Sequence, residues 1–181
     1  MCNLYDKFCV RYLKNGINPI KFTYLCSLLK IYLRSNKIYV LDNDKFKKSL
    51  DDMKYANMNT KYYYVDFRPF KYQTKTHKHI KNCFENMGYI LLHEVECPYN
   101  INLEYDYAFI YNGWCGSYLY YIMIEDKSEY YENNRIKTEY AINNAYLIKL
   151  NSDNIYNIKT IINQALNKWF LSSPLTNNTK T

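Results

Sequence analysis

Two carboxylates and an ammonium, Glu125, Asp126 and Lys127, close the apolar run that begins at Tyr118, in the stretch YLYYIMIEDK. The run before it, LEYDYAFIY, carries Asp106 near its middle. An apolar strand gains nothing from packing by ending on three charges, although a solvated turn would accept them. Carboxylates are the hard oxygen donors that suit Mg2+ or Mn2+, and such a cation polarises a phosphoryl oxygen and lowers the pKa of a bound water. An ammonium beside that water adds positive charge where a pentacovalent phosphate accumulates negative charge. Without a cation, two carboxylates would repel a phosphodiester. Side chains alternate along a strand, so Glu125 and Lys127 are expected on one face and Asp126 on the other. By the same rule Leu103, Tyr105, Tyr107 and Phe109 should share a face, leaving Asp106 on the opposite one with Glu104, Ala108 and Ile110.

The elements that must position these groups are readable from periodicity. From Thr76 onward Ile80, Cys83, Phe84 and Met87 recur at helical spacing, and Gly88 supplies a stop. The runs YILLHEVEC, LEYDYAFIY and YLYYIMIE follow, separated by Pro98, Asn100 and Asn102, then by Asn112, Gly113 and Gly116. Turn residues at such short spacing predict an antiparallel meander. Next come a polar helix with Ile136 and Tyr140 one turn apart and a short strand, AYLIKL. A last helix, capped by Ser152 or Asp153, carries the stripe Ile155, Ile158, Ile162, Ala165, Leu166 and Trp169. Upstream, FTYLCSLLKIYL reads as an amphipathic helix, KIYVLD as a short strand, Phe46, Leu50 and Met53 as a second helix, and YYYVDF as a strand stopped by Arg68-Pro69. Residues 1–70 are thus expected to form an N-terminal extension or small subdomain, 71–171 the core, and 172–181 a flexible tail.

Composition narrows the class of protein. The chain of 181 residues is long enough for one well-cored domain. A net charge of +7 favours an anionic partner without naming one. Tyr, Asn, Lys and Ile are abundant and all have AT-rich codons, which points to genomic base composition, as in some large DNA viruses, before any base-stacking platform. Cys2, Cys9, Cys26, Cys83, Cys97 and Cys115 form no C-x-x-C pair and no zinc spacing, so reduced, independent thiols are expected. The start MCNLYDKFCV lacks a secretory pattern, and no apolar run approaches the roughly 20 residues of a membrane span. These features predict a soluble intracellular protein, cytoplasmic or nuclear, neither secreted nor membrane-bound.

The order helix, three-strand meander, helix, strand, helix, with Asp106 on the second meander strand and Glu125-x-Lys127 closing the third, resembles the PD-(D/E)XK nuclease superfamily. The likeness covers roughly Lys75 to Phe170. It implies an α/β (α+β) fold in which helices flank a mixed central sheet containing the meander, a restriction-endonuclease-like core with an N-terminal α/β extension. It also implies a metal-dependent nuclease acting on DNA or RNA: Asp106 and Glu125 would hold Mg2+ or Mn2+, the Asp126 carbonyl would be a further ligand, and Lys127 would be the catalytic lysine. Family members often add an acid from the helix before the meander. Glu85 has that position, but lies about 140° around the helix from Ile80; Glu94 and Glu96 are the alternatives. Lys137 resembles a supporting basic residue, and Tyr105 stands where the name-giving proline would be.

The tripeptide alone carries no weight, because about two (D/E)-x-K triplets are expected by chance in a chain of this composition. Two occur, the other being Asp52-Met53-Lys54 in a predicted helix. Context separates them. His77 and His79, two apart on a helix, cannot share a face; His79 or His93 could support an acidic pair as some nucleases' histidines do. His93 and Cys97 would lie about 13 Å apart on a strand, too far for a thiol and its base. Lys71, Lys75, Lys78 and Lys81 could contact phosphates or form a solvated face. The alternative to an enzyme is a non-catalytic binding or host-interaction module that keeps the fold.

Overall fold

The structure, a computed structural model, describes residues 3–69, 71, 74–113, 116–124, 131–151 and 155–172, and of 101, 131, 144, 155 and 167–172 the backbone alone. Helix α1 (Leu4–Tyr12) starts where the Asn3 side chain accepts the N–H of Asp6 at 2.9 Å, a cap that satisfies a donor the first turn leaves open. Strand β1 (Leu13–Lys21) follows directly. Neither element is among those expected from periodicity. Helix α2 (Phe22–Ser35) and helix α3 (Asn43–Asp52) match the two amphipathic segments. Strands β2 (Asn57–Met58) and β3 (Tyr62–Phe67) complete an antiparallel sheet of order β1-β3-β2. Gly16 is required there, since a Cβ would meet the backbone of Asp66 at 2.5 Å.

The expected strand KIYVLD is not one. Lys37 takes φ 62 just past α2, Asp42 turns its carboxylate to the N–H groups of Asp44 and Lys45 to start α3, and Ile38, Tyr39 and Val40 stay exposed between them. Its β propensity meets no partner strand among the described residues.

The second half follows the expected order. Helix α4 (Lys75–Asn86) runs from Thr74 to a stop at Gly88, φ 84. Strands β4 (Leu92–Cys97), β5 (Asn100–Gly113) and β6 (Gly116–Ile124) form the antiparallel meander. After helix α5 (Tyr131–Asn144), strand β7 (Tyr146–Leu150) pairs parallel to β6, so the sheet of order β4-β5-β6-β7 is mixed. A 3-10 turn (Ile155–Asn157) leads into helix α6 (Ile158–Ser172). The proposed caps Ser152 and Asp153, the side chain of Trp169 and the tail from residue 173 lie outside the described residues.

This sheet is buried on both faces. One face packs on α1, α2 and α3 with Tyr140 of α5, through Leu92, Val95, Tyr105, Ala108 and Tyr121. The other packs on α4 and α6, through Tyr107, Phe109, Tyr120, Ile122 and Ile148. Each of the large aliphatic and aromatic side chains among these contributes about 1.5–3 kcal/mol by leaving water. The fold is α/β, a mixed central sheet flanked by helices, with the N-terminal elements forming one flank.

Candidate functional site

The site begins with a break in strand alternation. Leu92 pairs with Ala108 and Val95 with Tyr105, and all four pack into the same core cluster. Positions three apart on a regular strand face opposite ways. Alternation therefore slips between them on both strands. On β4 the slip falls at Glu94, which has left-handed backbone at φ 49. On β5 it falls at Asp106 and Tyr107, consecutive residues that both reach α4: Asp106 Oδ1 lies 3.1 Å from His77 Nε2, and the Tyr107 hydroxyl donates to the His77 carbonyl at 2.9 Å. The expected shared face of Leu103, Tyr105, Tyr107 and Phe109 is thus corrected. Tyr105 packs toward the N-terminal helices while Tyr107 and Phe109 pack toward α4, and Asp106 does not follow Ala108 and Ile110.

Among the described residues Asp106 is held by two donors. Its Oδ2 accepts the backbone N–H of Ile124 at 2.7 Å, and its Oδ1 receives His77. The tautomer of His77 follows from its other nitrogen. Nδ1 faces the backbone N–H of Thr74 at 3.3 Å and its hydroxyl at 2.7 Å, and a backbone N–H can only donate. Nδ1 is therefore the acceptor, and Nε2 carries the proton given to Asp106. Thr74 in turn accepts the His77 N–H, a capping box with histidine in the place usually taken by Glu or Gln. Sequence reasoning passed over His77 in favour of His79 and His93. The signal that could have found it is the Thr74-x-x-His77 spacing at a helix start.

Beside Asp106 lies a network of opposite charges. The Arg11 guanidinium reaches across from α1 to Glu96 and Glu104, both at 2.5 Å, and to the carbonyl of Glu94 at 2.7 Å. Lys71 gives its N–H to Glu94 and its ammonium to Glu104 at 3.3 Å. Burial pushes the Glu94 carboxyl above its ordinary value; the Lys71 N–H opposes this and Glu104 reinforces it. His93, on the neighbouring rung, is pushed down to about 4 by burial first, then by Lys81 and Arg11. It is a neutral imidazole at pH 7.

The remaining expected residues are dispersed. Glu85 is 43% exposed and pairs with Lys81 at 3.7 Å, in keeping with its position away from the apolar stripe. His79 sits at the surface with Nε2 3.6 Å from Cys83 Sγ. Lys137 is buried, and its carbonyl accepts the hydroxyl of Tyr105, which stacks on Tyr121 at 4.0 Å. Glu125, Asp126 and Lys127 lie outside the described residues. Among the described residues no three His, Cys, Asp or Glu side chains are grouped to hold a metal ion, and no helix is long and apolar enough to cross a membrane.

As a donor set, what is present fits a hard cation in part. Asp106 keeps acceptor capacity toward the described residues, since a carboxylate has about four lone-pair directions and two are taken by them, and its side chain is 21% exposed. His77 supplies a proton rather than a lone pair. No family profile, curated protein or solved structure matches the chain.

Proposed function

We propose that the protein is a metal-dependent nuclease hydrolysing phosphodiester bonds of DNA or RNA, a divergent relative of the PD-(D/E)XK nucleases. One observation carries the reading: the partly exposed Asp106 carboxylate bonds the backbone N–H of Ile124, the residue that directly precedes Glu125 in the chain. Asp106, Glu125 and Asp126 would hold Mg2+ or Mn2+, which supplies a polarised phosphoryl oxygen and a bound water of lowered pKa. His77 orients Asp106 by donating to Oδ1, with its own tautomer fixed by Thr74. Lys127 adds positive charge where the reacting phosphate gains negative charge. The net charge of +7 suits a polyanion. An intracellular setting, cytoplasmic or nuclear, agrees with the free thiols Cys9, Cys26, Cys83 and Cys97.

The test is cleavage of single- and double-stranded DNA and RNA by purified protein with Mn2+ or Mg2+. Asp106→Ala, Glu125→Ala and Lys127→Ala should each lower the rate by about a thousandfold or more, and a chelator should abolish it, with circular dichroism unchanged. Variants as active as the parent chain would end the enzyme reading. The second reading is a binding or host-interaction module that retains the fold. It is favoured by the two protein hydrogen bonds already satisfying Asp106, and it is supported if the folded parent chain cleaves none of these substrates with either cation.

A further inference from the structure

A cavity of about 200 Å³ opens where the N-terminal elements meet α4 and the central sheet, and its walls include Tyr24, Phe67, Arg68, Lys81, His93 and Tyr107. The Tyr24 and Phe67 rings, 6.1 Å apart and inclined at 65°, make an aromatic corner. Two cations share the lining. Arg68 is anchored by its Nε, which donates to the carbonyl of Leu13 at 3.1 Å. Lys81 is 46% exposed, and its pair with Glu85 at 3.7 Å is a surface contact that does little to hold the ammonium. No carboxylate lines the cavity among the described residues. His93 is neutral in this setting, with Lys81 among the causes, so the lining sets two cations and hydrogen-bonding groups beside aromatic rings and the apolar side chains of Leu28, Pro69, Leu91 and Leu92, with Glu85 outside it paired to Lys81.

The cavity adjoins the candidate site along two elements. Tyr107 follows Asp106 on β5, and its hydroxyl is fixed on the His77 carbonyl. Lys81 lies one turn along α4 from His77, which holds Asp106. A volume of this size is below the roughly 300–1,000 Å³ of pockets that enclose a whole ligand, so it takes part of one, a phosphate and one face of a base, and leaves the remainder in solvent. Cations answer a phosphate and aromatic faces answer a base, and base-aromatic stacking is worth about 1–3 kcal/mol.

We propose that this cavity is a nucleotide subsite, which takes one phosphate-bearing nucleotide with its phosphate on Lys81 and Arg68 and its base against Tyr24 and Phe67. The phosphate can belong to a free mononucleotide or to the end of a nucleic-acid strand. As the holding point for a strand beside Asp106, the subsite rests on the nuclease reading. As a binding site it needs no cation and can fail or succeed separately.

The experiment titrates the full chain, in chelator, with adenosine monophosphate, adenosine, and a short oligonucleotide with and without a 5′ phosphate, by calorimetry. Saturable binding of the monophosphate is expected, with adenosine at least about tenfold weaker. Lys81→Ala should weaken the monophosphate about tenfold while Lys81→Arg retains it, and Glu85→Ala should leave it unchanged or tighter. Tyr24→Ala should weaken the monophosphate and leave inorganic phosphate unaffected. Preference for the phosphorylated oligonucleotide over the monophosphate assigns the subsite to a strand end; the reverse assigns it to a free nucleotide. Absence of saturation by either into the millimolar range, or a Lys81→Ala variant that binds like the parent, overturns the proposal. Because cleavage is judged separately by Asp106→Ala with cation present, neither result stands in for the other.

Discussion

The two halves of β5 are built on different principles. From Ala108 to Gly113 the strand pairs with β6 without interruption, and its rings pack closely: Phe109 stacks on Tyr120 at 5.2 Å and meets Phe84 edge-on at 5.1 Å. Between Leu103 and Tyr107 lies the slip in alternation, at Asp106 and Tyr107; the acids Glu104 and Asp106 enter, and Arg11, Lys71 and His77 satisfy them. The first half is held by apolar area, which tolerates no particular partner. The second is held by directional bonds to charged groups, each of which leaves an unpaired charge if its partner is lost. A strand that only had to fill a core would continue the first pattern. The departure sits where Asp106 is presented.

The difference should appear as unequal sensitivity to substitution. Phe109→Ala, in the regular half, removes a fully buried ring and should cost about 3–5 kcal/mol in urea unfolding. Leu103→Ala, half-buried in the slipped half, should cost about 1–2 kcal/mol. Equal losses would mean that the halves are packed alike. Acid should act next. The folded-state pKa of His93 is lowered from 6.5 to about 4, so the unfolded chain binds the extra proton first. The stabilisation is complete above the unfolded value and is lost as pH falls through about 4, up to about 3 kcal/mol. Unfolding free energy measured from pH 7 to pH 4 should decline on this account, and His93→Gln should flatten that part of the profile.

What was legible in the sequence follows the same division. The order from α4 to α6 and the antiparallel meander were readable because Ile80 and Phe84, or Tyr120 and Ile122, repeat at the period of their element. Helix α1 was missed because its start depends on one polar side chain, Asn3, and its burial of Phe8 and Tyr12 depends on elements far along the chain. KIYVLD misled for the opposite reason: strong strand formers with no strand beside them among the described residues. At the site, Asp106 was identified by its type within an apolar run. Its direction was not, because strict alternation cannot foresee a left-handed residue such as Glu94 on the neighbouring strand. His77 was obscured because its capping role uses one nitrogen and its contact with Asp106 the other.

Arg11 tests whether the network is a structural requirement of the slipped half. Arg11→Met keeps much of the side-chain volume but removes the guanidinium from Glu96 and leaves Glu104 with Lys71 and the Glu94 carbonyl with the Tyr12 hydroxyl, and should cost about 2 kcal/mol. Combining it with Glu104→Gln should cost less than the sum of the two, because position 104 then has no charge left to lose its guanidinium partner. Strict additivity would show that the short contacts in this network are not coupled.

The smallest effect is the most diagnostic of the slip itself. In a regular strand glycine is worse than alanine, since it gives up more backbone freedom on folding and packs nothing. At Glu94 the order should invert, because φ 49 brings a Cβ too close to the following carbonyl at a cost of about 1–2 kcal/mol that glycine avoids. Both Glu94→Ala and Glu94→Gly lose the contact with the Lys71 N–H, so that loss cancels in the comparison. The glycine variant should therefore be the more stable by about 1 kcal/mol in chemical denaturation. An alanine variant equal to or more stable than glycine would mean that β4 runs regularly through this position, and with it would go the reason that Asp106 and Tyr107 both turn toward α4.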